Sequence, residues 1–313
     1  MKRATFMRAA LLCCLAASGP AKAGFTTLDV PSATGGTFAT GIDGGNIVGY
    51  YTDGTGDHGF LYNGSSYTTL DDPLATNGTH AYGISGNKIV GSYFNATGIH
   101  GFLYDGSSWT TLDDPLALGL GLTEAMGISG NNIVGAYSVG PDDHGFLYDG
   151  STYTTIDDPL GTEGTGGASG INGNNIAGTY YDSAGVHGFL YNGSSFTTLA
   201  DPFNPNYTIA WGISGNNIVG FYMDVTGDHG FLYNGSTYTT IDDPLAKGGT
   251  AAFGISGNNI VGEYFDGKVN HGFLFQPDVS TVPAPSSLTL LGTAALAVFG
   301  YRGWRSRRQL AST

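Results

Sequence analysis

The triplet His-Gly-Phe occurs six times, at His58, His100, His144, His187, His229 and His271, at intervals of 42, 44, 43, 42 and 42 residues. A fixed period of this size restricts the chain to stacked or ring-closed repeats, because one such unit cannot bury its apolar face alone. The second copy, residues 81–115 (AYGISGNKIVGSYFNATGIHGFLYDGSSWTTLDDP), divides into four short strands. Gly-Ile-Ser leads to a turn at Gly86-Asn87, and the β-branched Ile-Val-Gly-x-Tyr run forms the second strand. His-Gly-Phe-Leu-Tyr is the third. A two-residue Asn-Gly or Asp-Gly turn (Asn63-Gly64, Asp105-Gly106, Asp149-Gly150, Asn192-Gly193, Asn234-Gly235) is expected to fold a type I′ hairpin into the fourth, Tyr-Thr-Thr-Leu. The fourth strand stops at Asp-Asp-Pro, since proline cannot continue a ladder.

Four antiparallel strands per ~42 residues is the size of a propeller blade. The sixth repeat ends at Phe275 without a fourth strand, and the missing strand stands at Phe25-Thr-Thr-Leu-Asp-Val-Pro31. Such a split unit closes a ring and leaves no long edge exposed. The expected fold is all-β: a six-bladed β-propeller of four-stranded blades over residues 24–278, closed by the N-terminal strand, plus a C-terminal hydrophobic helix. An open β-solenoid or a pair of sandwiches is the alternative. The repeats resemble the extracellular HAF repeat family of bacterial secreted proteins over roughly residues 38–275, with glycine where that family carries alanine. The resemblance implies an extracellular location and carries no established activity.

Both ends read as addresses. Lys2, Arg3 and Arg8, then the apolar run Ala9–Ala17 and the small-x-small site at Ala21 and Ala23, form a secretory signal over residues 1–23. The mature chain then starts at Gly24, with an uncleaved anchor as the alternative. Both cysteines, Cys13 and Cys14, fall within the signal, so the exported portion has no thiol chemistry. Residues 279–313 contain Val282-Pro283-Ala284-Pro285, the apolar run 288–301, and Arg302, Arg305, Arg307 and Arg308. Counted from Ser286 to Trp304, the run is long enough for a membrane helix, whose arginines stay cytoplasmic. This tail resembles the PEP-CTERM sorting signal of Gram-negative bacteria, with Ala284 where the family has glutamate. The resemblance implies processing by an exosortase, transient anchoring in the inner membrane, and delivery to the cell surface or exopolysaccharide matrix. An ordinary C-terminal anchor is the alternative.

Formal charge is −14, but all 25 acidic residues lie between Asp29 and Asp278, where the only basic side chains are Lys88, Lys247 and Lys268. Nucleic acid is excluded as a partner, because phosphate binding needs clustered Lys and Arg. A polar residue present in every repeat is expected to serve the scaffold. The six histidines are therefore read as structural hydrogen-bond donors rather than a ring of metal ligands. The Asp-Asp-Pro stops (Asp71-Asp72, Asp113-Asp114, Asp157-Asp158, Asp242-Asp243) are read as turns, with calcium binding as the alternative and no cofactor otherwise implied.

Function should sit where the copies differ. The residue before each Gly-Ile or equivalent varies (Thr40, Tyr82, Met126, Ser169, Trp211, Phe253) and is expected to line an axial channel. A second variable column follows the second-strand glycine: Tyr50, Ser92, Ala136, Thr179, Phe221, Glu263. Candidate binding residues are Trp211, Tyr207 and Phe203 as an exposed aromatic cluster for sugar stacking, together with Glu124, Glu263 and the non-repeated His80. No catalytic residue is assigned. The sequence points to an exported protein with a binding or structural role in the envelope or exopolysaccharide matrix. The alternative is a hydrolase or lyase of extracellular polysaccharide, which should gather non-repeated acids and histidine at one channel mouth.

Overall fold

A computed structural model of the chain describes residues 24–117 and 122–277. The expected signal peptide with Ala21 and Ala23, the sorting residues Val282, Pro283, Ala284, Pro285, Arg302, Arg305, Arg307 and Arg308, and the C-terminal helix lie outside the described residues. Every regular element described is a β-strand, and the fold is an all-β propeller. No described helix is long and apolar enough to cross a membrane.

Repeat 2 shows how one unit is built. Strands Gly78–Ser85, Lys88–Asn95, Gly98–Tyr104 and Trp109–Leu112 pair antiparallel in chain order. Ser85 pairs with Lys88 across the two-residue turn Gly86-Asn87, where Gly86 takes the left-handed φ of 61°. The hairpin between the third and fourth strands differs from the expected two-residue turn. Tyr62 pairs with Tyr67 in repeat 1 and Tyr104 with Trp109 in repeat 2, so the loop has four residues. Asn63 Oδ1 accepts the backbone N–H groups of Ser65 and Ser66 at 3.0 and 2.9 Å, an Asx turn that closes the loop locally. The Asn-Gly pair was legible as a turn, but the acceptor role of the asparagine side chain decides its length.

The sheets divide differently from six separate four-stranded blades. Repeats 2, 3, 4 and 5 each form a separate four-stranded sheet, whereas repeats 1 and 6 share one eight-stranded sheet. The link is a single parallel pair, Gly36 with Asn270. The N-terminal strand Gly24–Leu28 pairs antiparallel with Asn270–Gln276, from Gly24 opposite Gln276 to Leu28 opposite Gly272. The start of the chain thus supplies the outer strand that repeat 6 lacks.

The core lies between neighbouring repeats. Val48 of repeat 1 packs with Leu70, Ala81, Ile84, Ile89, Tyr93 and Phe102, and Val261 of repeat 6 closes the circuit against Leu28, Ile42, Tyr51 and Phe60. The six Phe of the triplets and six Ile of the second strands are the largest fully buried side chains. Burial of each such side chain stabilises by roughly 1.5–3 kcal/mol. Two glycine columns make room for them. A Cβ on the second-strand glycines (Gly49, Gly91 and their equivalents) would collide with the first-strand carbonyl and with the buried Phe ring. A Cβ on the triplet glycine would stand 2.6 Å from Leu70 O at Gly59 and 2.7 Å from Leu28 O at Gly272. The fourth strand approaches too closely here for alanine to replace the triplet glycine.

The rim formed by the turns between first and second strands carries a circuit of hydrogen bonds between repeats. Gly86 N donates to Asp43 Oδ2 at 2.7 Å, Gly130 N to Ser85, Gly173 N to Ser129, Gly215 N to Asn172, Gly257 N to Ser214, and Gly44 N back to Ser256 at 3.1 Å. The last link joins residues 212 positions apart.

Candidate functional site

The repeated polar residues hold strands together. Five of the six triplet histidines are drawn to an acid that follows the fourth strand: Nδ1 of His58 lies 3.0 Å from Asp71, His144 2.7 Å from Asp157, and His271 2.9 Å from Asp29, directly after the N-terminal strand. Nε2 of His58 and His100 faces Thr55 and Thr97 at 2.9 and 2.8 Å. Repeat 4 has Ala200 in place of the first aspartate, and His187 Nδ1 instead donates to Pro205 O at 3.1 Å. The loop around residues 203–207, equal in length to its counterparts in repeats 1 and 5 but different in sequence, thus replaces a missing acid.

The second aspartate of each stop is buried, as with Asp72 and Asp114, and its oxygen accepts the N–H two residues on, Leu74 or Leu116, at 2.8 Å. Burial raises the carboxyl pKa of Asp72, Asp114, Asp201 and Asp243. The two acids of a stop therefore serve separate contacts. Among the described residues, no group of three or more His, Cys, Asp or Glu side chains converges as a metal site.

A bulge in each first strand builds the axis. Register skips one residue between Ala39 and Gly41, Ala81 and Gly83, and their equivalents. The skipped residues are Thr40, Tyr82, Met126, Ser169, Trp211 and Phe253, and with the Gly-Ile pairs they line one central cavity of about 70 Å³. A bulge re-aims a side chain out of the ladder. Neighbouring repeats come close here: a Cβ on Gly83 would lie 2.8 Å from Met126 O.

The two residues flanking the bulge level break the symmetry. Phe38 pairs with Tyr50, His80 with Ser92, Glu124 with Ala136, and Ala251 with Glu263. Around repeats 1 to 3 they form a connected network. His80 Nε2 lies 2.9 Å from Asp57 Oδ2, and His80 Nδ1 lies 3.1 Å from the Tyr82 hydroxyl. That hydroxyl is 3.2 Å from Glu124 Oε1, and Ser92 Oγ is 3.4 Å from both. The one Tyr82 proton serves either the imidazole or Glu124. The His80 ring stacks on Tyr50 at 3.8 Å, Tyr50 on Phe38 at 4.5 Å, and the edge of Phe94 closes the column at 4.8 Å.

Burial sets the protonation states. Desolvation holds His80 below the ordinary imidazole range against the pull of Asp57, and pushes Glu124 above the usual carboxylate range. For Asp57 burial acts upward, but hydrogen bonds from Thr52 and His80 outweigh it and keep the group ionised. At repeats 5 and 6, burial and then Asp228 raise the Glu263 carboxyl to about 7. Burial also raises Asp228. Asp228 Oδ1 and Glu263 Oε2 are buried without a hydrogen-bond partner among the described residues.

Of the residues singled out in the sequence, His80 and Glu124 belong to one network, and Glu263 adjoins it through its electrostatic effect on Tyr50. Trp211, Tyr207 and Phe203 do not assemble as an aromatic cluster. Trp211 lines the axis and meets Phe253 edge-on at 5.1 Å, Phe203 lies exposed over Tyr222 at 5.7 Å, and Tyr207 bridges to Val186. Their different positions separate them, since Trp211 is a bulge residue and the other two border the loop that precedes the first strand of repeat 5. Asp57 does not stand out in the sequence, because it sits beside a repeated histidine. The column before each triplet (Asp57, Ile99, Asp143, Val186, Asp228, Asn270) was the available signal.

The chain matches no protein-family model and no curated protein sequence. Its fold is similar to the β-propeller domain of the Trilobed protease from Pyrococcus furiosus, a domain described as having an open velcro topology. The TM-score is 0.53 at 11% identity, over 81% of this chain and 86% of that one. TolB from Acinetobacter baumannii aligns with a TM-score of 0.47 at 14% identity over 75% of this chain, which spans 64% of TolB. A catalytically inactive virginiamycin B lyase from Staphylococcus aureus, solved with quinupristin, aligns at 0.47 and 11% identity over 81% of this chain and 99% of that one. At these identities the likeness concerns the propeller fold alone.

Proposed function

We propose that the chain is an exported six-bladed β-propeller, sorted to the cell surface, with a non-enzymatic binding or structural role in the envelope or exopolysaccharide matrix. The eight-stranded sheet counts as two blades in this reading. Its two halves meet at one parallel pair, and similar lone parallel bridges link other repeats, at Ile99–Leu122, Val186–Tyr207 and Asp228–Gly249. The observation that carries the role is the use of repeated His and Asp side chains as strand-to-strand ties, which leaves the non-repeated residues as the candidates for recognition. Export and sorting rest on the resemblances of residues 1–23 and 279–313, with exosortase and the secretion machinery as partners.

Intact mass and cell fractionation in an exosortase-bearing host test the sorting. The expected product starts at Gly24 and ends near Val282–Ser287 in the surface fraction. A product that keeps Arg302–Thr313 in the inner membrane would replace sorting with simple anchoring.

A second reading is favoured by the Asp57–His80–Tyr82–Glu124 network: a polysaccharide hydrolase or lyase that uses these groups for proton transfer. Incubation of the host exopolysaccharide with the protein separates the two readings. Retention on the polymer without change in its chain length supports binding, and progressive shortening supports catalysis.

A further inference from the structure

We infer that the cleft between repeats 1 and 2 is a binding site for an uncharged sugar unit, with Asp57 as its fixed hydrogen-bond acceptor. Two cavities meet there. One, of about 370 Å³, is lined by Asp57, Asn77, His80, Phe94, Asn95 and Ile99 among others. The other, of about 160 Å³, runs from Thr55 and His58 to Thr79. Both are walled by Asp57 and Asn77, so these two residues stand between the cavities and contribute to each.

Asp57 is prepared for this task. Thr52 Oγ1 donates to its Oδ1 at 2.6 Å and His80 Nε2 to its Oδ2 at 2.9 Å. Each oxygen keeps acceptor capacity beyond these bonds, because an ionised carboxylate offers about four lone-pair sites. The carboxylate side chain remains 34% exposed, whereas that of His80 is 14% exposed. His80 is therefore a positioning residue: both its nitrogens are engaged, one face is covered by Tyr50, and it aims Asp57 into the cleft.

The remaining lining selects the ligand class. Asn77 and Asn95 carry amides that both donate and accept, as a sugar hydroxyl does. Phe94 and Ile99 offer apolar surface to the C–H face of a ring. No lysine or arginine lines either cavity, so an acidic sugar would meet Asp57 and Asp71 without compensation. The combination occurs at one junction. At the positions equivalent to Asp57 and His80, the next junctions carry Ile99 with Glu124 and Asp143 with Gly167, and repeats 5 and 6 carry Asp228 with Ala251.

This inference deepens the binding reading and rests on it. The test uses the full chain, titrated by calorimetry with cellohexaose, xylohexaose, mannohexaose and chitohexaose, and with hexagalacturonate as the acidic control. Separately, the whole host exopolysaccharide is used in co-sedimentation. The expected result is saturable binding of at least one neutral hexasaccharide and none of hexagalacturonate. Asp57→Asn and Asn77→Ala should each weaken it at least tenfold while thermal unfolding shows both variants folded. His80→Gln should weaken it by a similar factor, and a pH titration of affinity should follow His80, a readout that a merely structural role would leave flat. Unchanged binding in Asp57→Asn and Asn77→Ala overturns the cleft and leaves the binding reading intact. So does co-sedimentation with the polymer when no neutral hexasaccharide binds. Absence of binding to both the hexasaccharides and the polymer overturns cleft and binding reading together.

Discussion

The junction of repeats 1 and 2 and the junction of repeats 5 and 6 start from the same residue, an aspartate directly before the repeated histidine: Asp57 in one, Asp228 in the other. At the first, the neighbouring repeat supplies His80, and the carboxylate is held by two donors and stays ionised. At the second, the equivalent position is Ala251, Glu263 stands across the ladder from it, and both acids keep a buried oxygen without a partner among the described residues. One fold position is thus a satisfied ionic site in one place and a proton-seeking acid pair in another. The difference lies in two facing columns of side chains, His80 and Ser92 at one junction and Ala251 and Glu263 at the other, since the backbone register is the same at both.

The two junctions respond to pH with opposite sign. His80 and Asp57 are held below their ordinary values, so their contribution is present above those values and is lost as pH falls. Glu263 is held above its ordinary value of 4.5, at about 7, so its contribution is full below pH 4.5 and is lost as pH rises through 7.

Breaking the first junction should have the largest effect. His80→Ala removes the donor to Asp57, the partner of Tyr82 and the centre of the aromatic column, and should destabilise by about 4 kcal/mol in denaturant unfolding at pH 7. A loss under about 1 kcal/mol would mean that the network adds little to the fold.

Next comes Glu263→Gln. The stability lost by the native chain between pH 4.5 and 8 through this residue should be roughly 3 kcal/mol, at 1.36 kcal/mol per pH unit, and the glutamine variant should lack that component. Superimposable pH profiles for the two chains would remove the contrast between the junctions.

Asp228→Asn should sharpen the contrast with a smaller gain. Neutralising a half-solvated carboxylate beside Glu263 should stabilise by about 1 kcal/mol at pH 8, with little change at pH 4, and should lower the midpoint of Glu263 titration seen by NMR. The corresponding Asp57→Asn should lose stability instead.

The smallest effect belongs to the rim of turns between first and second strands. Ser256→Ala deletes the hydrogen bond to Gly44 N that completes the circuit of repeats, but the contact is exposed and the loss should stay under about 0.5 kcal/mol in thermal unfolding. A larger loss would locate the ring's closure at this turn rather than in the pairing of Gly24–Leu28 with repeat 6.

Much of the fold was legible because strand punctuation is local. The Ile-Val-Gly-x-Tyr runs, the Gly86-Asn87 type of turn and the Asp-Asp-Pro stops each act within a few residues, and the displaced strand at Phe25–Leu28 could be recognised by its likeness to Tyr67–Leu70. The four-residue loop at Asn63 was missed because its length depends on which backbone donors the side chain reaches. The candidate site was half legible. His80, Glu124 and Glu263 stood out as departures from the repeat, whereas Asp57 and Tyr50 acquire their meaning from residues 23 or more positions away.

By itself the sequence determined the period, the all-β class, the closing partner of the last repeat and the residues that differ between copies. Those follow from chain-local propensities and from counting equivalent positions. The tertiary structure alone decided which differing residues meet. A bulge in each first strand turns one column toward the axis, and neighbouring repeats then press together side chains that no spacing along the chain relates. Their charge states arise only at that stage, because burial and partner distance, rather than residue type, separate the ionised Asp57 from the raised Glu263.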